Sequence, residues 1–348
     1  MSRAATRDWL LTLALCLLPF ARLTSAQAPT ASPSFEEWLA NLRVEALARG
    51  ISQTTIDAAL SGLAPEPIIV SRDRTQPEQT QSLEGYLAAR LTPRTVSRAR
   101  AAAEEHRELL ERIRATYGVP GPILIAIWAV ESNFGQFVGV RPTISALATL
   151  AYDSRRPDLF RAELFNALTI LDRGLVAPAD LKGSWAGAMG QPQFMPSSYL
   201  KYAVDFDGDG HANIWTSTPD VFASMANYLS LTGWTSEDQR WGREVSISKP
   251  ALARIERTVP MRTAGCRAER EMTEARELSE WSRLGVTLPG GGRLPTPTLT
   301  ASLVHGQRRQ FLVYPNYAAV IDYNCSNAYG ISVGLLADRI SSASASPK

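Results

Sequence analysis

Apolar residues recur with a helical period through most of this chain and give way to short alternating runs near its end. Phe35, Trp38, Leu39 and Leu42 fall at i, i+3, i+4 and i+7, the stripe of an amphipathic helix. Ser34, with Glu37 three residues on, reads as a capping box that opens it. A second helix is predicted over 54–60, followed by an extended segment over 65–78. Residues 93–117 are rich in Ala, Arg and Glu with a helical period, stopped by Gly118 and Pro120. Residues 122–134 form a mostly apolar helix with Gly135 as its C-cap, and 145–150 and 157–171 also read as helices. Thr218-Pro219-Asp220 supplies a cap and an early proline for a helix over 221–231. Beyond Trp241 the texture changes. Short strands are predicted at 244–247, 300–304, 310–314 and 318–323, with a glycine-rich loop at 289–297 and a final helix at 329–340. The fold class is α+β, mainly α.

The chain's 348 residues suffice for one large or two ordinary domains with a buried core. An apolar run over 10–20, preceded by Arg3 and Arg7 and followed by Thr24-Ser25-Ala26, reads as a secretory signal cleaved near Ala26. That run is too short to span a bilayer, and no later run is long enough. Leu15 is bulky where a lipid-attachment signal at Cys16 wants a small residue. The mature chain is therefore expected in the periplasm without a transmembrane segment. Removing residues 1–26 leaves 33 basic and 33 acidic residues, so the basic excess of a nucleic-acid binder is missing. Two cysteines remain, Cys266 and Cys325. An even pair in an oxidising compartment points to a disulfide, with two buried free thiols as the alternative. The expected organisation is a signal (1–26), a Pro/Ala/Ser/Thr tether opening an N-terminal helical region (27–118), a core (119–240) and a small α/β region (241–348).

The chemistry concentrates in three places. Glu131 lies near the C-terminal end of the apolar helix, sharing a face with Leu124, Ile127 and Trp128. Burial raises a carboxyl pKa, and the negative helix end opposes ionisation further. Both effects favour the protonated acid that a proton donor needs. The plainer alternative is a glutamate exposed at a helix end. The segment 183–198, GSWAGAMGQPQFMPSS, is a glycine-rich polar loop whose backbone can approach a ligand closely. It runs into Asp205-Phe-Asp207-Gly-Asp209-Gly210, with hard oxygen donors at positions 1, 3 and 5 of a calcium-type loop and the turn glycine at 6. His211 at position 7 offers its carbonyl. Thr216 stands where the usual glutamate would be. An empty acidic turn is the alternative to structural Ca2+.

In order along the chain, AVESNFG, GAMGQPQFMPSSY, DFDGDGHANIW and YNCSNAY closely resemble the lytic murein transglycosylase B family. The resemblance covers nearly the whole mature chain. It implies a lysozyme-like helical core with an EF-hand-like calcium loop over 205–220 in which Asp220 is the substitute ligand, peptidoglycan glycan strands as the partner, and Glu131 as sole acid and base. By the same resemblance, Ser184 and Gln193 serve the glutamate and the sugar amides. Tyr323, Asn324 and Tyr329 match a C-terminal segment (323–340) that returns to the active site. Arg155 and Arg156 resemble a pair that contacts stem peptide or sugar carboxylates. The implied reaction cleaves the bond between N-acetylmuramic acid and N-acetylglucosamine and leaves a 1,6-anhydromuramoyl end. A goose-type lysozyme-like hydrolase would share the core and the glutamate. A non-catalytic peptidoglycan-binding protein and a secreted calcium-binding protein are the remaining alternatives, and both leave Glu131 idle.

Overall fold

The computed structural model describes residues 33–75, 81–235, 240–295 and 299–344. The expected signal, with Cys16, and all but the last residue of the 27–33 tether lie outside the described residues. Three helices come first, α1 (Phe35–Ala48), α2 (Gln53–Leu60) and α3 (Pro67–Arg74). The capping box of α1 is formed, with the Ser34 N–H donating to Glu37 Oε2 at 2.8 Å and the Glu37 N–H to the Ser34 hydroxyl at 3.2 Å. The helix α3 corrects the extended prediction for 65–78 over 67–74, and 76–78 lie outside the described residues. Pro67 sits in its first turn, where a missing N–H is no loss, and buried Ile69 and Asp73 fasten it to the rest of the molecule. Then come α4 (Leu83–Arg90), α5 (Pro93–Glu105) and α6 (Arg107–Tyr117). The single helix expected over 93–117 is thus two, broken at His106. Gly118 ends the second in the left-handed conformation, as expected.

The middle of the chain carries α7 (Gly121–Ser132), β1 (Arg141–Pro142), α8 (Thr143–Tyr152), α9 (Pro157–Asp172), β2 (Lys182–Gly183), α10 (Pro196–Tyr202) and α11 (Thr218–Leu231). The strands β1 and β2 pair antiparallel. Ser217, not Thr218, caps α11. The remainder comprises β3 (Gly242–Ile247), α12 (Lys249–Thr258), α13 (Arg267–Arg270), β4 (Arg276–Glu277), α14 (Leu278–Arg283), β5 (Val286–Thr287), β6 (Thr300–His305), β7 (Gln310–Val313), α15 (Tyr317–Tyr323) and α16 (Asn327–Ser344). Five strands form one antiparallel sheet in the order β4-β6-β7-β3-β5. The strand predicted over 318–323 is the helix α15. Its buried Tyr317, Val320 and Ile321 stand at i, i+3 and i+4, a helical period hidden in a composition that favours strands.

The buried apolar residues form three clusters. The first surrounds α7 with α5, α6, α11, α15 and α16. The second joins α1–α3 to α8–α10 and takes in Met189 and Phe194 of the glycine-rich loop. The third lies under the sheet, around Trp281 and Leu312. Tyr323 packs against both the first and the second. The sheet meets the helices where Trp241 lies against Gly334 of α16, since a Cβ there would fall 2.1 Å from the indole. The Trp241 indole N–H also donates to Asp338 at 3.2 Å. Cys266, just before α13, and Cys325, between α15 and α16, are joined by a disulfide. Among the described residues no single helix is long and apolar enough to cross a membrane.

Candidate active site

Glu131 is the penultimate residue of α7, a helix buried over nearly its whole length. The helix stops abruptly. Asn133, Phe134 and Gly135 all take positive φ (50°, 61° and 73°), so the cap is Asn133 rather than the expected Gly135. A left-handed phenylalanine is uncommon and needs support from its surroundings. Arg98 of α5 provides it, donating to the Asn133 side chain at 3.1 Å and its carbonyl at 3.4 Å, with the guanidinium 4.5 Å from the Phe134 ring centre. Inside the turn, the Ser132 hydroxyl accepts from the Gly135 N–H at 3.1 Å.

Three tyrosines crowd the acid. Tyr329 on α16 is buried, and its hydroxyl lacks a hydrogen bond of ordinary geometry among the described residues. It nevertheless acts on Glu131 as a looser donor. Tyr323 donates from its hydroxyl to the Pro192 carbonyl at 2.7 Å, which ties α15 to the glycine-rich loop. Tyr228 of α11 donates to Asp322, whose carbonyl and carboxylate each lie 3.0 Å away. Glu131 keeps a partly exposed edge, yet the atoms packed around its carboxyl exclude enough water to raise its pKa to about 7. The Tyr329 hydroxyl and the Arg90 charge oppose that rise. Desolvation raises Tyr323 and Tyr329 far above the ordinary phenol value, and the Glu131 charge adds to it. Both therefore stay neutral. Among the described residues no second carboxylate figures in the ionisation of Glu131.

The glycine-rich loop is held from both sides. Met189 and Phe194 pair through their backbones, at 2.7 and 3.0 Å, and bury their side chains beneath it. Gln191 accepts from the Trp128 indole at 2.6 Å and donates to the Trp215 carbonyl at 2.8 Å, so the loop is bolted to the helix that bears Glu131. The Ser184 hydroxyl accepts the Ala186 and Ala188 amides, leaving its own proton unengaged among the described residues. Gln193 has φ 56° and folds its amide back on the Gly190 carbonyl at 2.7 Å. Asn324 is exposed at the end of α15. Arg155 and Arg156 both pair with Asp73, Arg155 at 2.6 Å. A carboxylate only 3 % exposed demands such partners.

The acidic loop fits a hard cation in part. Asp205, Asp207 and Asp209 bring their oxygens within 4.8 Å of one another. Gly208 and Gly210 donate their N–H groups to Asp205, which curls the loop around it. Asp220, expected to complete the ligand set, stands outside this group. It is fully buried, and its carboxylate accepts the Phe206, Asp207 and Asn213 amides at 2.8, 3.3 and 2.7 Å, bracing the loop from beneath. The His211 carbonyl accepts the Asn213 N–H at 2.9 Å.

Residues 34–338 match the model of the transglycosylase SLT domain. The chain belongs to this transglycosylase family. A relative, membrane-bound lytic murein transglycosylase B of Escherichia coli (strain K12), is 42 % identical over 150 residues, which span 43 % of this chain and only 41 % of that protein. The solved transglycosylase SltB3 from Pseudomonas aeruginosa, in complex with NAG-anhNAM-pentapeptide, is 41 % identical with a TM-score of 0.79, covering 88 % of this chain and 80 % of that one. The Escherichia coli lytic transglycosylase Slt35, in complex with calcium, is 28 % identical with a TM-score of 0.71, covering 90 % and 94 %. The fold is accordingly the lysozyme-like one of lytic transglycosylases, with a small antiparallel sheet added.

Four residues of this site escaped the sequence reading. Arg98 sits in an Ala/Arg-rich helix with nothing to single it out, and Gln191 is one polar residue among several in the glycine-rich loop. Tyr228 is brought to the acid by α11, and its hydroxyl donates to Asp322 on α15, which was expected as a strand.

Proposed function

We propose that this protein is a periplasmic lytic transglycosylase that cleaves peptidoglycan glycan strands with Glu131 as its only acid and base. The observation that carries the reading is the carboxyl itself, raised to about 7 by burial with no second carboxylate acting on it. Hydrolytic glycosidases ordinarily need two carboxyl groups, one to donate a proton and one to act as nucleophile or to activate water. A single carboxyl suffices if the sugar supplies its own nucleophile. Protonated Glu131 donates to the glycosidic oxygen between N-acetylmuramic acid and N-acetylglucosamine, and the bond to the muramoyl anomeric carbon breaks. The muramoyl C6 hydroxyl attacks that carbon, favoured by the high effective concentration of an intramolecular group. The Glu131 carboxylate takes the C6 proton, leaving a 1,6-anhydro end and a recharged acid.

Ser184, with its unengaged proton, and Gln193 are the polar groups that meet the sugar, and Tyr323, Asn324 and Tyr329 form the opposite wall. Asp205, Asp207 and Asp209, with the His211 carbonyl, would hold a calcium ion. That ion would supply a fixed charge that pins the loop following the substrate segment.

Digestion of purified peptidoglycan, read by mass spectrometry, tests the proposal. The wild type is expected to release muropeptides lighter by one water than lysozyme products, and Glu131→Gln to release none. Reducing-end products would make the protein a hydrolase of lysozyme type.

A further inference from the structure

A cavity of about 260 Å³ lies between the sheet and the start of α15, and none of the residues placed around Glu131 lines it. Its volume is just below the usual range for drug-sized ligands, so an occupant must be small. One wall is β6, with Ala301 and Ser302. The floor is Tyr317, and the connection from α12 to β4 brings Arg262 and Met272 to the far side. These walls are fastened to one another. The Arg262 N–H donates to the Met272 carbonyl at 2.9 Å. The Thr273 N–H donates to the Leu303 carbonyl on β6 at 3.2 Å, and the Leu303 N–H returns to the Thr273 hydroxyl at 2.8 Å. Tyr317 cannot swing, because its hydroxyl is bonded to the Asn327 side chain at 3.0 Å and a Cβ on Gly330 of α16 would fall 2.7 Å from its ring. A cavity held in this way needs little reorganisation to accept a ligand.

Its chemistry is one-sided. Arg262 is the only charged residue in the lining. Its guanidinium donates to the Ser302 hydroxyl at 2.9 Å and pairs with no carboxylate among the described residues. That bond uses one of five N–H groups. Ser302 is only 1 % exposed, and its own proton is unengaged among the described residues. A guanidinium without a counter-charge beside a buried hydroxyl with an unspent proton offers two donors to the two oxygens of one carboxylate. Met272, Ala301 and Val313, all buried, supply apolar surface next to them. A cation here would meet the guanidinium with no carboxylate to offset it. The ammonium of an amino acid would likewise lack a counter-charge, and burying it unpaired is costly. A small carboxylate with an uncharged, apolar body satisfies every group.

We infer that this cavity is a binding site for a small apolar carboxylate, such as a short fatty acid, with Arg262 and Ser302 holding its oxygens and Met272 lying against its body. The test is a titration of the full chain, labelled at its methionine methyl groups, with hexanoate, followed by NMR. The Met272 signal is assigned with Met272→Leu. Hexanoate is expected to move that signal saturably, with a Kd of about 1 mM for a ligand of this size. Hexylammonium, with the same body and the opposite charge, and 2-aminohexanoate, which adds an ammonium beside the carboxylate, should each bind about tenfold more weakly or worse. Arg262→Met keeps the apolar stem and removes the charge, and should weaken hexanoate by about tenfold. Ser302→Ala removes a single hydroxyl and should weaken it about fivefold. If Arg262→Met fails to fold, Ser302→Ala and the ligand series decide. The inference is overturned if the Met272 signal does not saturate, if hexylammonium binds as well as hexanoate, or if the folded variants bind like the wild type. Saturation at Met189 and Met195 of the glycine-rich loop in place of Met272 would put the carboxylate in the cleft and overturn it too. No strand need be cut in any of these measurements, so the outcome is independent of the lytic reading.

Discussion

A carboxyl with a pKa of about 7 ties activity and stability to the same proton. Burial is the main cause of the rise from the ordinary 4.5. The proton-donating step therefore fades as pH climbs through about 7, and the alkaline limb of the rate profile should lie there. In the unfolded chain Glu131 ionises near its ordinary value, so the folded state gives up stability as pH rises from about 4.5 to about 7. Glu131→Gln escapes that penalty. At pH 8 the variant should be more stable than the wild type by on the order of 2 kcal/mol, with no difference below pH 4, measured by denaturant titration. Tyr329→Phe acts in the same sense as burial. Its hydroxyl favours the charged carboxylate, so removing it should move the alkaline limb upward by about half a pH unit or more. Stability should hold, because the lost hydroxyl is buried without a well-formed hydrogen bond.

At the scale of elements, the turn after α7 decides where Glu131 points, and Arg98 decides whether the turn holds. Arg98→Ala removes two hydrogen bonds and the contact with the Phe134 ring without touching the acid. It should lower kcat by about tenfold with little change in KM, the mark of a positioning residue. Lys at the same position should restore little, because the planar fork is what spans Asn133 and Phe134. None of this was legible in the sequence, whereas α7 itself was. The capping box of α1, the apolar run of α7 and the Gly118 stop are local signals that local physics enforces. The helices α3, α4 and α15 are products of tertiary packing. The first is fastened by Asp73 to two arginines some eighty residues away, and the last hides its helical period behind Val320, Ile321 and Tyr323. Glu131 could be singled out because its helix neighbours foretold an apolar setting. The pairing of Arg155 and Arg156 with Asp73 could not be foreseen, since no sequence pattern joins residues so far apart.

Across the whole molecule, the cleft lies where two cores meet, with Tyr323 packed against both. The helix α11 connects the distant ends of this arrangement, since its first turn bears Asp220 under the acidic loop and its later turns bear Tyr228 beside the acid. A cation in that loop should therefore stabilise the fold as a unit. Calcium at about a hundred times its Kd is expected to add roughly 2.7 kcal/mol and raise Tm by about 5 °C in scanning calorimetry. Asp205→Asn should shrink that shift, and a chelator should abolish it.

The contact between α7 and α16 also carries a temporal consequence. The helix bearing Glu131 starts at residue 121, but the wall that encloses it is completed by a helix running from Asn327 to Ser344. A chain threading through an export channel from its N-terminus would deliver the acid long before the helix that houses it. Until the last few dozen residues emerge, Glu131 would lack the wall of α15 and α16 that carries Tyr323 and Tyr329. On the proposed function, this order of delivery would be a built-in delay, with cutting able to begin only after α16 has arrived.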